Sequence, residues 1–126
     1  MQDKPSAIEL IEAVTGFIRE HAMPQLQGHT AFHARVAANA LDIVKRELEI
    51  GPEDNAAERT RLQKLLGHDG ELDQLNAELC DKIAGGDLDL TTPGLKDHLW
   101  ATTLTKLAID QPKYAAYRKT RTEGMK

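Results

Sequence analysis

Apolar positions along this chain recur every three or four residues and nowhere alternate, so the pattern predicts helices and no strands. Ile8, Leu10, Ile11, Val14, Phe17 and Ile18 fall on one side of a first helix, with Glu9, Glu12, Gly16, Arg19 and Glu20 on the other. Ser6 followed by Glu9 is a capping box, and Pro24 marks the stop. A second helix is expected from Thr30 to Glu49, burying Phe32, Val36, Ala40, Ile43, Val44 and Leu48, with Gly51 as its left-handed terminator. Pro52, Glu53 and Asp54 look like the first turn of a short third helix that buries Leu62, Leu65 and Leu66 and stops at Gly67. Leu72, Leu75, Leu79 and Ile83 predict a fourth helix ending at Gly85-Gly86. Thr92 is placed to cap a fifth, with Pro93 at its first position, Leu95, Leu99, Trp100, Leu104 and Leu107 on its apolar face, and Pro112 at its end.

Short connections between such segments favour antiparallel neighbours, so the expected fold is an all-α, single-domain bundle of about five helices over residues 1–112. The remaining residues, 113–126, show no apolar period and are expected to form a mobile basic tail. A length of 126 residues suits one core, and 40% hydrophobic with 29% charged residues is ordinary globular composition. Aromatics are only 4%, so aliphatic side chains and alanine must build the interior.

Charge and cysteine usage narrow the setting. The net charge is −4, yet the tail alone carries +4, from Lys113, Arg118, Lys119, Arg121 and Lys126 against Glu123. An acidic body of −8 argues against nucleic acid, which needs clustered Lys and Arg. A lone cysteine, Cys80, fits a reducing compartment, the start MQDKPSAIEL lacks a secretory apolar run, and no segment could span a membrane. A cytoplasmic protein is expected.

The chemical inventory excludes more than it offers. Ser6 is the only serine and is taken up as a cap, so no Ser-His-Asp triad is possible, and no glycine-rich phosphate loop occurs. Cys80 reads as a buried, inert thiol at the edge of the fourth helix. His29 and His33 have metal-ligand spacing, but His29 precedes the expected cap Thr30 and no acidic ligand completes the set, so neither metal nor cofactor is expected. His33 lies within the apolar arc of the second helix, where a neutral, hydrogen-bonded structural imidazole is the first reading and a ligand contact the second. Arg35 and Asn39 border that face, and Lys106 and Asp110 intrude on the apolar face of the fifth helix. Asp110 stands at the negative end of its helix with Lys106 in the weaker i,i+4 order, so it needs other donors. His33, Arg35, Asn39, Lys106 and Asp110 thus form either a packing network or the lining of a polar ligand pocket, and no residue is singled out as catalytic.

The runs FHARVAANALDIVKREL (residues 32–48) and LWATTLTKLAIDQPKY (residues 99–114), with the opening DKPSAIELIEAV, resemble a family of small bacterial proteins known as a domain of unknown function. The pairing of Phe-His-x-Arg-Val-x-x-Asn with Asp-Gln-Pro-x-Tyr carries the resemblance. It implies association with phosphotransferases resembling aminoglycoside kinases and with acyl-CoA dehydrogenases, hence an accessory role in acyl-CoA-related catabolism. The sequence expectation is therefore a non-enzymatic interaction module, partnered by a kinase-like protein or by a second copy. The alternative is a small-molecule binding domain, or a weak enzyme, built on the five polar residues.

Overall fold

The computed structural model describes residues 4–124, the side chains of 123 and 124 excepted. Asp3 of the opening run, and Lys126 and the Glu123 carboxylate of the tail, lie outside the described residues. Among those residues the protein is all-α, with no strand. Its helices are α1 (Ala7–Phe17), α2 (Gly28–Leu66), α3 (Leu72–Ala84), α4 (Leu95–Asp110) and α5 (Ala115–Gly124). The helix count agrees with the pattern but the division does not. The expected second and third helices are one helix of 39 residues, and the fifth forms in the basic tail.

Two signals misplaced the boundaries. Pro52 stands inside α2, where it forfeits one ladder hydrogen bond, and Gly51 is buried without a positive φ. Gly-Pro is a helix stop only when the backbone turns left-handed at the glycine, which here it does not. Gly67, with φ 83°, makes that turn sixteen residues later and ends α2. In the tail, Tyr117 supplies the apolar anchor, only 8% exposed and capped on its face by the Arg121 guanidinium 5.9 Å away.

Backbone contacts divide the chain into two compact units, Met1–Glu49 and Ile50–Lys126. The first begins with the capping box the sequence announced: Ser6 Oγ accepts from the Glu9 amide at 3.2 Å and Glu9 Oε1 accepts from the Ser6 amide at 3.0 Å. After Phe17, α1 widens into a π-turn, Ile18–Ala22, then tightens into a 3₁₀ turn, Met23–Gln25, around Pro24. Ion pairs tie it to α2 in antiparallel register. Lys45 Nζ lies 3.1 Å from Glu12 Oε1, and Arg19 Nη2 donates to Asp42 Oδ2 at 2.6 Å and to Asn39 Oδ1 at 3.0 Å.

Small residues mark the inward side of this pair. Thr15 is 8% exposed and Ala38 fully buried, with Ala31 and Ala34 half-buried on the same helical face as Ala38. Gly16 is different: a Cβ added there meets nothing within 4 Å, although it lies in the interior of α1. Gly16→Ala is therefore expected to stabilise the protein by about 0.5–1 kcal/mol, because it removes unfolded-state freedom without a clash. Urea denaturation measures this directly, and a lower midpoint would show that the helices close on that position.

The second unit holds the leucine core. Leu62 of α2, Leu75 and Leu79 of α3 and Leu95 of α4 are 0–4% exposed, with Leu65, Leu66, Leu72 and Leu88 packed around them. The α2–α3 corner is pinned by charge. Arg59 Nε and Nη2 donate to the two oxygens of Asp69 at 2.9 and 3.1 Å, and the Gly70 amide donates to Asp69 Oδ1 at 2.7 Å. These donors, the Arg59 guanidinium foremost, hold the Asp69 pKa down at about 2. His68 Nε2 meets Glu78 at 2.9 Å, and the Asp69 carbonyl together with that carboxylate raises the imidazole pKa.

Candidate functional site

The chemistry-bearing cluster of the second unit forms where the C-terminal part of α2 meets the start of α4. Leu95 and His98 both face inward because they are three apart on one helix, and both are 2% exposed. Arg61 precedes the core residue Leu62 by one position, so its guanidinium reaches past the core edge to α4. Its Nε donates to His98 Nδ1 at 2.9 Å and its Nη2 to Thr102 Oγ1 at 3.4 Å. Arginine can only donate, so Nδ1 must be the acceptor and the imidazole proton sits on Nε2. Burial, then the Arg61 charge, lower the His98 pKa, while Glu58 pulls weakly the other way. The ring is held neutral, in one tautomer.

The start of α4 is equally specific. Its N-cap is Gly94, with φ 87°, a conformation that Ser, Thr or Asp adopt only under strain, and no side chain caps the helix. Thr92, expected in that role, instead accepts from the Asp89 amide at 3.0 Å, while Asp89 Oδ1 accepts from the Thr91 amide at 2.8 Å. The loop has used its caps on itself. A cavity of about 290 Å³ opens beside Gly94, lined by Arg61, Lys64, Leu65, Pro93, Asp97 and His98. A second cavity, of about 500 Å³, lies on the other side of α4 between Leu90, Leu99 and Trp100.

Residues 24–114 match a family described as Domain of unknown function (DUF6285). The chain belongs to that family. No curated protein and no solved structure matches it. The DUF6285 match takes in α2, α3 and α4, hence Arg61, His98 and both cavities, while α1 precedes it.

The five polar residues singled out in the DUF6285 sequence lie elsewhere. His33, Arg35 and Asn39 belong to the first unit, Lys106 and Asp110 to the second, and none lines either cavity. His33 is exposed, edge-on to Phe32 at 5.5 Å between ring centroids, which corrects the expectation of a buried imidazole. Arg35 stands 5.7 Å over the same ring, and Asn39 accepts from Arg19. Lys106 and Asp110 are both exposed on α4. Cys80 is also exposed rather than buried, because the inward line of α3 runs through Leu75 and Leu79 and leaves the next position outside it.

The buried histidine among the described residues is His98, which the sequence pattern offers only as a conceivable base for Cys80 and not as a site residue. One signal was available, since His98 stands three residues after Leu95, on the side of α4 that the core claims. Arg61 offered none: an arginine beside a leucine in a helix reads as a solvated side chain until the facing helix is known.

Proposed function

We propose that the protein is a non-enzymatic accessory module that binds a partner protein through an apolar face of its first unit. One observation carries this. The α1–α2 pair buries Thr15 and Ala38 and half-buries Ile8, Ile11, Leu41 and Ile43, yet leaves a second set of large apolar side chains exposed. Leu10, Val14 and Phe17 recur along one side of α1 and are 44%, 48% and 60% exposed. The register set by Glu12–Lys45 and Arg19–Asp42 puts Leu10 level with Leu48 and Val14 level with Val44, which are 42% and 44% exposed. Two neighbouring helices that show such side chains at one end make a face suited to an apolar helix of another protein.

The partner this reading names is the kinase-like phosphotransferase that the family resemblance implies, with a role in acyl-CoA-related catabolism. The test pairs the full chain with that protein in a calorimetric titration. Phe17→Asp is expected to weaken binding by roughly 30-fold or more, as loss of a buried aromatic anchor does, while the far-UV spectrum stays helical. Undiminished binding by the variant would overturn the choice of face. Self-association of the wild type that the same substitution abolishes would replace the phosphotransferase with a second copy.

A further inference from the structure

A different surface, in the second unit, points to a ligand. Helix α4 is sixteen residues long, and its first turn carries amides that the helix itself cannot satisfy. The Leu95 amide reaches Thr92 O at 3.2 Å and the His98 amide reaches Gly94 O at 3.0 Å, which leaves Lys96 and Asp97 as the amides without an intrahelical acceptor. The glycine N-cap offers no oxygen to them, and its left-handed φ disfavours any residue that would.

The second observation is His98. Its Nδ1 is taken by Arg61, so Nε2 carries a proton, and among the described residues no hydrogen-bond partner stands against it. No buried side-chain nitrogen or oxygen among the described residues lacks a hydrogen bond, so this atom must own part of the 2% of the ring that stays accessible. The ring lines the cavity of about 290 Å³ beside Gly94. A donor on a ring that is 2% exposed, the guanidinium of Arg61, the ammonium of Lys64 and an uncapped helix N-terminus therefore border one small cavity.

We infer that this cavity binds a small oxyanion, a carboxylate or a phosphoryl group, which supplies the capping oxygen that α4 lacks. Arg61 and Lys64 contribute positive charge, His98 Nε2 donates a hydrogen bond, and the helix dipole favours negative charge at that end. Asp97 also lines the cavity. Its carboxylate opposes an anion, holds the affinity down and gives the site a sign test.

The experiment is an amide and imidazole NMR titration of the full chain with sodium phosphate and, separately, sodium acetate, at constant ionic strength. Saturable shifts are expected at the Lys96 and Asp97 amides and at His98 Nε2. Lys64→Ala should weaken the binding by roughly threefold or more and Asp97→Asn tighten it by a similar factor, each being one exposed charge close to the ligand. Both residues are exposed, so both variants should keep the wild-type helical spectrum. Saturation by phosphate alone assigns a phosphoryl group, by acetate alone a carboxylate, and by both a site for either. Shifts that never saturate, or that both substitutions leave unchanged, would mean an adventitious ion only and overturn the proposal.

Discussion

Leu62→Ala is expected to destabilise the protein by about 2–5 kcal/mol, the range for truncating a leucine in a close-packed interior. Leu62 is fully buried and is the α2 member of a cluster whose other members come from α3 and α4. Three helices thus contribute to one cluster with Leu62 among its most buried members, so a void left there is not easily closed. A native stability of about 5–15 kcal/mol is typical of such domains, so the loss would be a large fraction of the total. Leu62→Met, which conserves volume, should cost less than about 1.5 kcal/mol. Leu90→Ala provides the contrast: Leu90 is 76% exposed, and a change within about 0.5 kcal/mol is expected. Chemical denaturation of the three variants checks the ordering. Equal effects at Leu62 and Leu90 would show that the leucine cluster is not the centre of stability.

The difference between those leucines shows what the pattern along the chain can and cannot reveal. In the second unit, apolar period and burial agree at Leu62, Leu75, Leu79 and Leu95, all assigned to inward faces and all buried, but not at Ile83, Leu99 and Trp100, which share those stripes and are 38%, 40% and 55% exposed. In the first unit they disagree. Leu10, Val14, Phe17, Phe32 and Val36 were assigned to apolar faces by their helical period, yet each is at least 44% exposed. Periodicity says that a helix has an apolar side, not which part of that side a neighbour occupies. Here the neighbour chose Thr15 and Ala38, so the widest part of each apolar arc was left outward. The same rotation explains His33, which shares the arc of Phe32 and Val36 and is exposed with them. Boundaries failed for a related reason. Gly51-Pro52 and Thr92-Pro93 are locally good punctuation, but the first is overridden by a helix continuing to Leu66 and the second is used inside the loop before Gly94. The Arg61–His98 contact joins residues 37 positions apart, a distance over which single-sequence pattern carries no signal.

That contact also gives the molecule an acid-dependence that can be assigned to one residue. In His98→Leu the Arg61 Nε loses its acceptor at a half-buried site, and a cost of about 1–3 kcal/mol is expected for stranding that donor. His98→Asn places an amide oxygen near the former Nδ1, so it should recover much of the loss while removing the titrating ring. The pH dependence follows from the direction of the shift. Burial and the Arg61 charge depress the His98 pKa in the folded protein, whereas in the unfolded chain it is about 6.5. Above that value both states hold a neutral ring and the stability is fully present. As pH falls below it, the unfolded chain takes up a proton that the folded ring refuses, and stability declines until the depressed folded pKa is passed. His68 has the opposite sign: its folded pKa is raised, so its contribution is present in acid and lost as pH rises through that raised value. Melts recorded in the His68→Gln background from neutral pH down to about pH 5, above the range in which Asp69 and the other hydrogen-bonded carboxylates lose their contribution, therefore isolate His98. The decline below about pH 6.5 should appear with His98 present and vanish in His98→Asn. A folded-state NMR titration giving His98 a pKa at or above the unfolded value would show that Arg61 does not hold the ring neutral, and would remove the basis for its fixed tautomer.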